Sequence, residues 1–152
     1  MSKKIKIGVL VTIIVLSGFG RDYIMVNINW IIKHLTLGAP NYAQTFFNPL
    51  LNWKVSNLIL LKWVLTLIFT MYFFSLTYFS VKLIFKTNSI ALQYVKGFYF
   101  LLIIISIVLY GIGYMFNIQQ AIYPTVRTLM GVLQSFIPLM LIYLFIRFFP
   151  KN

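Results

Sequence analysis

The sequence predicts an all-α membrane protein, in which four transmembrane helices form an antiparallel up-down bundle with both termini in the cytoplasm. Three observations support this prediction: an apolar composition, four long apolar stretches and an uneven distribution of basic residues. Hydrophobic residues make up 61% of the 152-residue chain, against roughly 45–50% in soluble domains. The mean hydropathy is +0.93. A soluble fold of this size could not bury so much apolar surface, so lipid is the expected solvent.

The four predicted helices belong to one integral membrane domain covering residues 1–152. A spanning helix needs about 20 largely apolar residues. We place the helices at about 5–32, 58–81, 98–117 and 123–149, with an outer loop at about 33–57. The first apolar run, Ile7 to Gly20, is short by itself. Either the first helix continues past Arg21 and Asp22, or these two residues lie at the membrane interface.

The N-terminus has features of a secretory signal peptide, because Lys3, Lys4 and Lys6 precede an apolar core. No Ala-x-Ala cleavage site follows, so we expect an uncleaved anchor. In the connections, Gly38 to Asn41 is a turn signal in the outer loop, and Thr87 to Ser89 is one in the inner loop.

Basic residues and aromatic residues predict the orientation. With the N-terminus inside, eight of the 13 Lys and Arg residues are cytoplasmic and five are outside, which agrees with the positive-inside rule. The cytoplasmic set is Lys3, Lys4, Lys6, Lys82, Lys86, Lys96, Arg147 and Lys151, and the outer set is Arg21, Lys33, Lys54, Lys62 and Arg127. All three Trp residues then lie at the outer interface, whereas Tyr78, Tyr94, Tyr99 and Tyr143 lie towards the inner one.

The titratable residues restrict the chemistry. Asp22 is the only acidic residue, His34 is the only histidine, and cysteine and glutamate are absent. A paired-carboxylate mechanism, a cysteine nucleophile and a thiolate metal site are therefore excluded. We expect no catalysis, no metal and no cofactor. The net charge of +12 is spread along the chain beside apolar segments, which favours anionic lipid headgroups over nucleic acid as the partner.

Polar and small residues form stripes at helical spacing. They comprise Lys62, Thr66, Thr70 and Thr77 in the second helix, Ser106, Tyr110, Gly113 and Asn117 in the third, and Arg127, Gly131, Gln134 and Pro138 in the fourth. Such residues turn away from lipid because an unpaired polar group in hydrocarbon is costly. The stripes are expected to face the bundle interior. They fit either helix packing or a cleft for a ligand or lipid.

Most of the polar candidates fall near the outer ends of the helices. The candidates for binding a partner or a lipid are Arg21, Asp22, Lys62, Asn117, Arg127 and Gln134, of which only Gln134 lies nearer the middle. One carboxylate would face up to three cations, and we predict that Asp22 pairs with Arg127. The surplus positive charge suits an anionic headgroup, a phosphate or a carboxylate on a partner.

Three stretches carry a resemblance to a known family. They are Gly20 to Asn29, Leu61 to Thr66 with Thr77 further along, and Arg127 to Ser135 followed by Pro138. Together they resemble the small four-helix membrane proteins that accompany exosortases in Bacteroidetes envelope protein-sorting systems. This resemblance implies an inner-membrane accessory role beside a sorting enzyme. Exosortases use a membrane-embedded Cys with Arg and His, so a chain without Cys is not the enzyme itself.

The expected function is therefore a non-catalytic accessory or scaffold subunit of an envelope protein-sorting or export system, in the bacterial inner membrane. Its expected partners are membrane lipids and a membrane-embedded sorting enzyme or another envelope protein. The alternative is a small transporter or channel that oligomerises. Against this alternative, Asp22 lies too near the interface for a midplane coupling site.

Overall fold

The computed structural model describes residues 2–85 and 89–148, and the elements found in these residues are helices. In chain order they are α1 (Lys3–Leu37), a 3₁₀-helix (Thr45–Asn52), α2 (Val55–Ile84), α3 (Ser89–Met115), α4 (Gln119–Leu133) and α5 (Ile137–Phe148). The predicted all-α class is confirmed. The predicted inner turn at Thr87 and Asn88 lies outside the described residues, as do Lys86 and Lys151.

The number of helices that can cross a membrane is three or four. Among the described residues, Ile5–Leu37, Val55–Ile84 and Ile90–Met115 are each long and apolar enough to span. The pair α4 and α5 passes the same test only if the two helices count together as one bent span. The chain is therefore compatible with a multi-pass membrane protein.

Helix α1 continues without interruption past Arg21 and Asp22 to Leu37. Of the two alternatives that the sequence left open, the structure therefore shows the longer first helix. It ends where the sequence signal predicted a turn. Gly38 has a φ of +63°, and its N–H bonds to the His34 carbonyl at 3.0 Å. A glycine adopts this left-handed conformation without steric cost, which makes it a common residue just after a helix. The Nδ1 of His34 donates to the Ala39 carbonyl at 2.7 Å and holds the turn.

Helices α3 and α4 form a tight hairpin. Asn117 lies between them at a φ of +56°, and the Ile118 N–H reaches the Gly113 carbonyl at 2.9 Å. This is the Schellman arrangement, in which Asn often replaces Gly. A Cβ added to Gly113 would lie 3.5 Å from Ile122, so α4 approaches α3 closely there.

The prediction of one continuous helix over about 123–149 is wrong, because the chain bends by 66° between α4 and α5. Leu133 is the last residue of α4 and Ile137 the first of α5. Pro138 explains the break, since a proline lacks the N–H that a continuous helix needs and its ring clashes with the preceding turn. In the first turn of a new helix the same proline is well tolerated.

The chain divides into two compact units. The small unit is Leu16–Phe69, which contains the second half of α1, the 3₁₀-helix and the first half of α2. The large unit combines Met1–Val15 with Thr70–Asn152. Each unit has its own buried residues.

Candidate functional site

The small unit is built around an apolar cluster. Ile31, Phe47 and Leu58 are buried, and they come from α1, the 3₁₀-helix and α2 respectively. The partly buried residues packed against them are Ile24, Ile32, Ala43, Leu50 and Leu51. The sequence predicted a loop over about 33–57. The structure places a 3₁₀-helix within it, in which Phe46 is exposed and Phe47 is buried.

Polar bonds attach this loop to α1. Asn27 is buried, and its Oδ1 accepts the Gln44 N–H at 2.7 Å while its Nδ2 donates to the Tyr23 carbonyl at 2.8 Å. The Trp30 and Tyr42 rings meet edge to face at 4.9 Å between centroids. An amide that is satisfied on both sides holds the backbone without leaving a buried polar group unpaired. The segment after α1 is thus an ordered part of the small unit.

Two of the predicted cations in the small unit have separate partners. The Lys62 ammonium donates to Asn29 Oδ1 at 2.6 Å, which joins α2 to α1. Arg21 forms an ion pair with its neighbour Asp22, whose side chain is 63% exposed. The structure thus shows Asn29 as a partner of Lys62, and the expected position of Lys62 facing Asp22 stays a prediction.

The large unit contains a buried polar network beside the helix break. Gln134 is 1% exposed, and its Nε2 donates to Thr70 Oγ1 on α2 at 2.8 Å. The Tyr99 hydroxyl on α3 donates to the Leu133 carbonyl at 3.1 Å and lies 3.1 Å from Thr77 Oγ1. These bonds tie α2 and α3 to the point where α4 ends.

The network satisfies backbone groups that the break leaves without a helical partner. The last carbonyls of any helix lack such partners. Here Leu133 O accepts from Tyr99, and Val132 O accepts from the Ser135 hydroxyl at 2.7 Å. The Ser135 oxygen in turn accepts the Ile137 N–H at 3.2 Å, at the start of α5. These side-chain bonds satisfy the backbone at the break, where Ser135 is half-buried and Phe136 is exposed.

Asn117 and Arg127 have different surroundings from Gln134. Both are exposed, Asn117 in the α3–α4 turn and Arg127 on α4. The left-handed backbone of Asn117 gives it a structural role in the turn. The predicted pair between Asp22 and Arg127 stays a prediction, because the ion pair that the structure describes for Asp22 is with Arg21.

The inward assignment of the polar stripes is confirmed for four of their polar members. Thr70, Thr77, Ser106 and Gln134 are each at most 6% exposed. The outer members differ, since Asn117 and Arg127 are exposed. Helical spacing therefore predicts which residues share a face of the helix, but only part of that face is buried against other helices.

Sequence reasoning missed Tyr99, Asn27 and Asn29. Tyr99 was expected at the inner interface, but it is 3% exposed and central to the buried network. Its position on a helix face shared with Ser106 was a usable signal, because the two are seven residues apart. Pro138 was a signal for the break. Nothing local distinguishes Asn27 and Asn29, whose partners lie 17 and 33 residues away.

Comparison of the chain with protein-family models, with curated proteins and with solved structures found no match. Within the described residues there is also no group of three or more His, Cys, Asp or Glu side chains that could hold a metal ion.

Proposed function

We propose that this protein is a non-catalytic integral membrane subunit that serves as an accessory or scaffold in an envelope protein-sorting or export system of the exosortase type. The main support for this proposal is that the small unit is well packed. Its loop is held against α1 by the Asn27 bonds and by the buried ring of Phe47. A loop that needed only to connect two spans would not require such a core.

The exposed surface of the small unit suits a partner. Phe46 is 81% exposed and Tyr42 62% exposed, and both lie on the loop that the cluster holds. The Arg21–Asp22 pair adds a charged group to the same unit. Exposed aromatic residues on a rigid support are typical anchors of protein interfaces. The proposed partner is a membrane-embedded sorting enzyme or another envelope protein.

Helix length supports a location of this surface beyond the hydrocarbon. Helix α1 has 35 residues, and a 20-residue helix already spans about 30 Å. A strongly tilted span uses up only part of this excess. We propose that both termini are cytoplasmic in the bacterial inner membrane and that the small unit is at the outer surface.

The orientation is tested with reporter fusions. Reporters after Asn152 and within residues 87–89 should be cytoplasmic, and a reporter after Pro40 should be outside. A cytoplasmic reporter after Pro40 would overturn the proposed orientation.

The function is tested in the host bacterium by deleting the gene and measuring removal of the C-terminal sorting signals from exported proteins. Loss of this processing, restored by the wild-type gene, is the expected result. Phe46→Ser should reduce processing while the protein still accumulates. Phe116→Ser is the matched control, because that ring is 68% exposed but lies in the large unit. Normal processing in the deletion strain would rule out the accessory role.

The helix break supports one alternative, a small oligomeric transporter or channel. Broken helices with polar side chains at the break are typical of transporter binding sites. Gln134, Thr70 and Tyr99 provide such side chains. Ion or solute flux through proteoliposomes of the purified protein, abolished by Gln134→Leu, would favour this function over the accessory role.

A further inference from the structure

An open groove lies between α2 and α3 in the large unit. Its volume is about 460 Å³. The lining residues are Thr70, Met71 and Phe74 on α2, and Lys96, Gly97, Tyr99, Phe100 and Ile103 on α3. Both helices are long and apolar enough to cross a membrane, so lipid chains are the natural surroundings of the groove.

The wall of the groove is apolar although two of its residues carry hydroxyls. The Thr70 hydroxyl accepts from Gln134, and the Tyr99 hydroxyl bonds to Thr77 and to the Leu133 carbonyl. Because of these bonds, both hydroxyl groups point away from the groove and towards the protein interior. The groove is left with methyl groups and ring faces, which are suited to a hydrocarbon chain.

The charged residue of the groove, Lys96, lies at one end of it. Lys96 is exposed and follows the first residue of α3 by seven positions, about 10 Å along the axis. Ile103 lies a further seven residues along the helix, again about 10 Å deeper. Met71 is 72% exposed and Phe100 is 67% exposed, so both side chains border the opening of the groove. The groove thus has a cation at its shallow end and apolar side chains at depth.

We propose that this groove is a binding site for an anionic phospholipid, with one acyl chain between α2 and α3 and the headgroup phosphate at the Lys96 ammonium. Basic pockets between transmembrane helices bind anionic headgroups because the ammonium meets the phosphate in a poorly screened setting. A zwitterionic lipid presents its own ammonium beside the phosphate, which weakens the attraction to Lys96. This site is independent of the partner surface proposed for the small unit.

Two substitutions separate the headgroup contact from the chain contact. Lys96→Gln removes the charge, with Lys82→Gln as its control, because Lys82 is an exposed cation in the last turn of α2 that does not line the groove. Gly97→Leu fills the groove. Its control is Gly111→Leu on the same helix, since an added Cβ meets nothing within 4 Å at either glycine.

The experiment is native mass spectrometry of the full-length protein in detergent, titrated with phosphatidylglycerol or phosphatidylcholine of identical chains. The wild type should prefer phosphatidylglycerol by about five-fold, and Lys96→Gln should remove the preference, as expected for one cation near an anionic headgroup. Gly97→Leu should weaken both lipids by about ten-fold or more. Lys82→Gln and Gly111→Leu should behave as wild type, with melting temperatures confirming that all variants fold.

Equal binding of the two lipids by the wild type would overturn the proposal, as would equal effects of Lys96→Gln and Lys82→Gln. A further measurement needs no variant. Phosphatidylglycerol with six-carbon chains should bind at least ten-fold more weakly than the sixteen-carbon form, because its chains bury less apolar surface. Equal affinity for the two chain lengths would show binding to the headgroup alone and would rule out the groove.

Discussion

The apolar cluster of the small unit and the hydrogen-bond network of the large unit differ in chemistry. The cluster of the small unit joins three buried apolar side chains, Ile31, Phe47 and Leu58, from three separate helical elements. Beside the break in the large unit, side-chain amide and hydroxyl groups bond to each other and to freed backbone. A buried apolar side chain leaves no polar group to satisfy, whereas a buried hydroxyl or amide needs a hydrogen-bond partner. The comparison teaches that one chain can combine apolar packing with buried polar groups that satisfy each other.

The largest expected effect is on the small unit. Leu58→Ala should lower the free energy of unfolding by about 2–5 kcal/mol, because it removes a buried side chain and leaves a cavity. Leu60→Ala is the control, since Leu60 is 63% exposed on the same helix. Thermal unfolding in detergent, followed by circular dichroism, measures both. If the two variants melt together, the apolar cluster does not stabilise the unit.

The break in the large unit should depend on Tyr99. Tyr99→Phe keeps the ring but removes the hydroxyl that bonds to Leu133 O and Thr77. The expected loss is about 1–2 kcal/mol, the range measured for hydrogen bonds between membrane helices in model peptides. Tyr114→Phe, at a ring 70% exposed, should change the same melting curve little. A silent Tyr99→Phe would mean that the buried network does not hold the break.

The charged surface of the small unit should contribute less. A buried partner for Asp22 would make Asp22→Asn cost about 3–5 kcal/mol, but an exposed ion pair contributes at most about 1. The structure gives Asp22 an exposed pair with Arg21, so we expect the smaller effect. A double-mutant cycle with Arg127→Gln measures any coupling to that residue. Coupling above 1 kcal/mol would restore the predicted Asp22–Arg127 pair.

The smallest effect on stability is expected at Ser80, three residues after Thr77. Ser80 is 1% exposed, and its hydroxyl has no hydrogen-bond partner among the described residues. Ser80→Ala should therefore leave stability unchanged or raise it slightly, because it removes an unsatisfied polar atom. Thr77→Val, which removes a bonded hydroxyl of similar burial, should be destabilising in the same assay. The reverse order would show that burial alone, without hydrogen bonding, decides the cost in this unit.

Local signals in the sequence determined much of the fold. Composition and the apolar runs predicted helices of membrane length, because a helix in lipid needs only enough consecutive apolar residues. The end of α1 followed from Gly38, whose missing side chain permits the left-handed backbone. The inward positions of Thr70, Thr77 and Gln134 followed from helical spacing and the cost of polar groups in hydrocarbon.

Tertiary structure decided the rest. Whether α1 stops at Arg21 or continues could not be predicted, because a charged pair is tolerated both at an interface and on a helix that extends beyond the membrane. The partners of Asn27, Lys62 and Tyr99 are distant in the chain, and no local pattern encodes them. The sequence therefore determined where helices form and which residues avoid lipid. Only the tertiary structure decided which polar groups bond to each other. Helical periodicity gives the face of one helix on which a residue lies, but a hydrogen bond between helices also depends on how those helices pack.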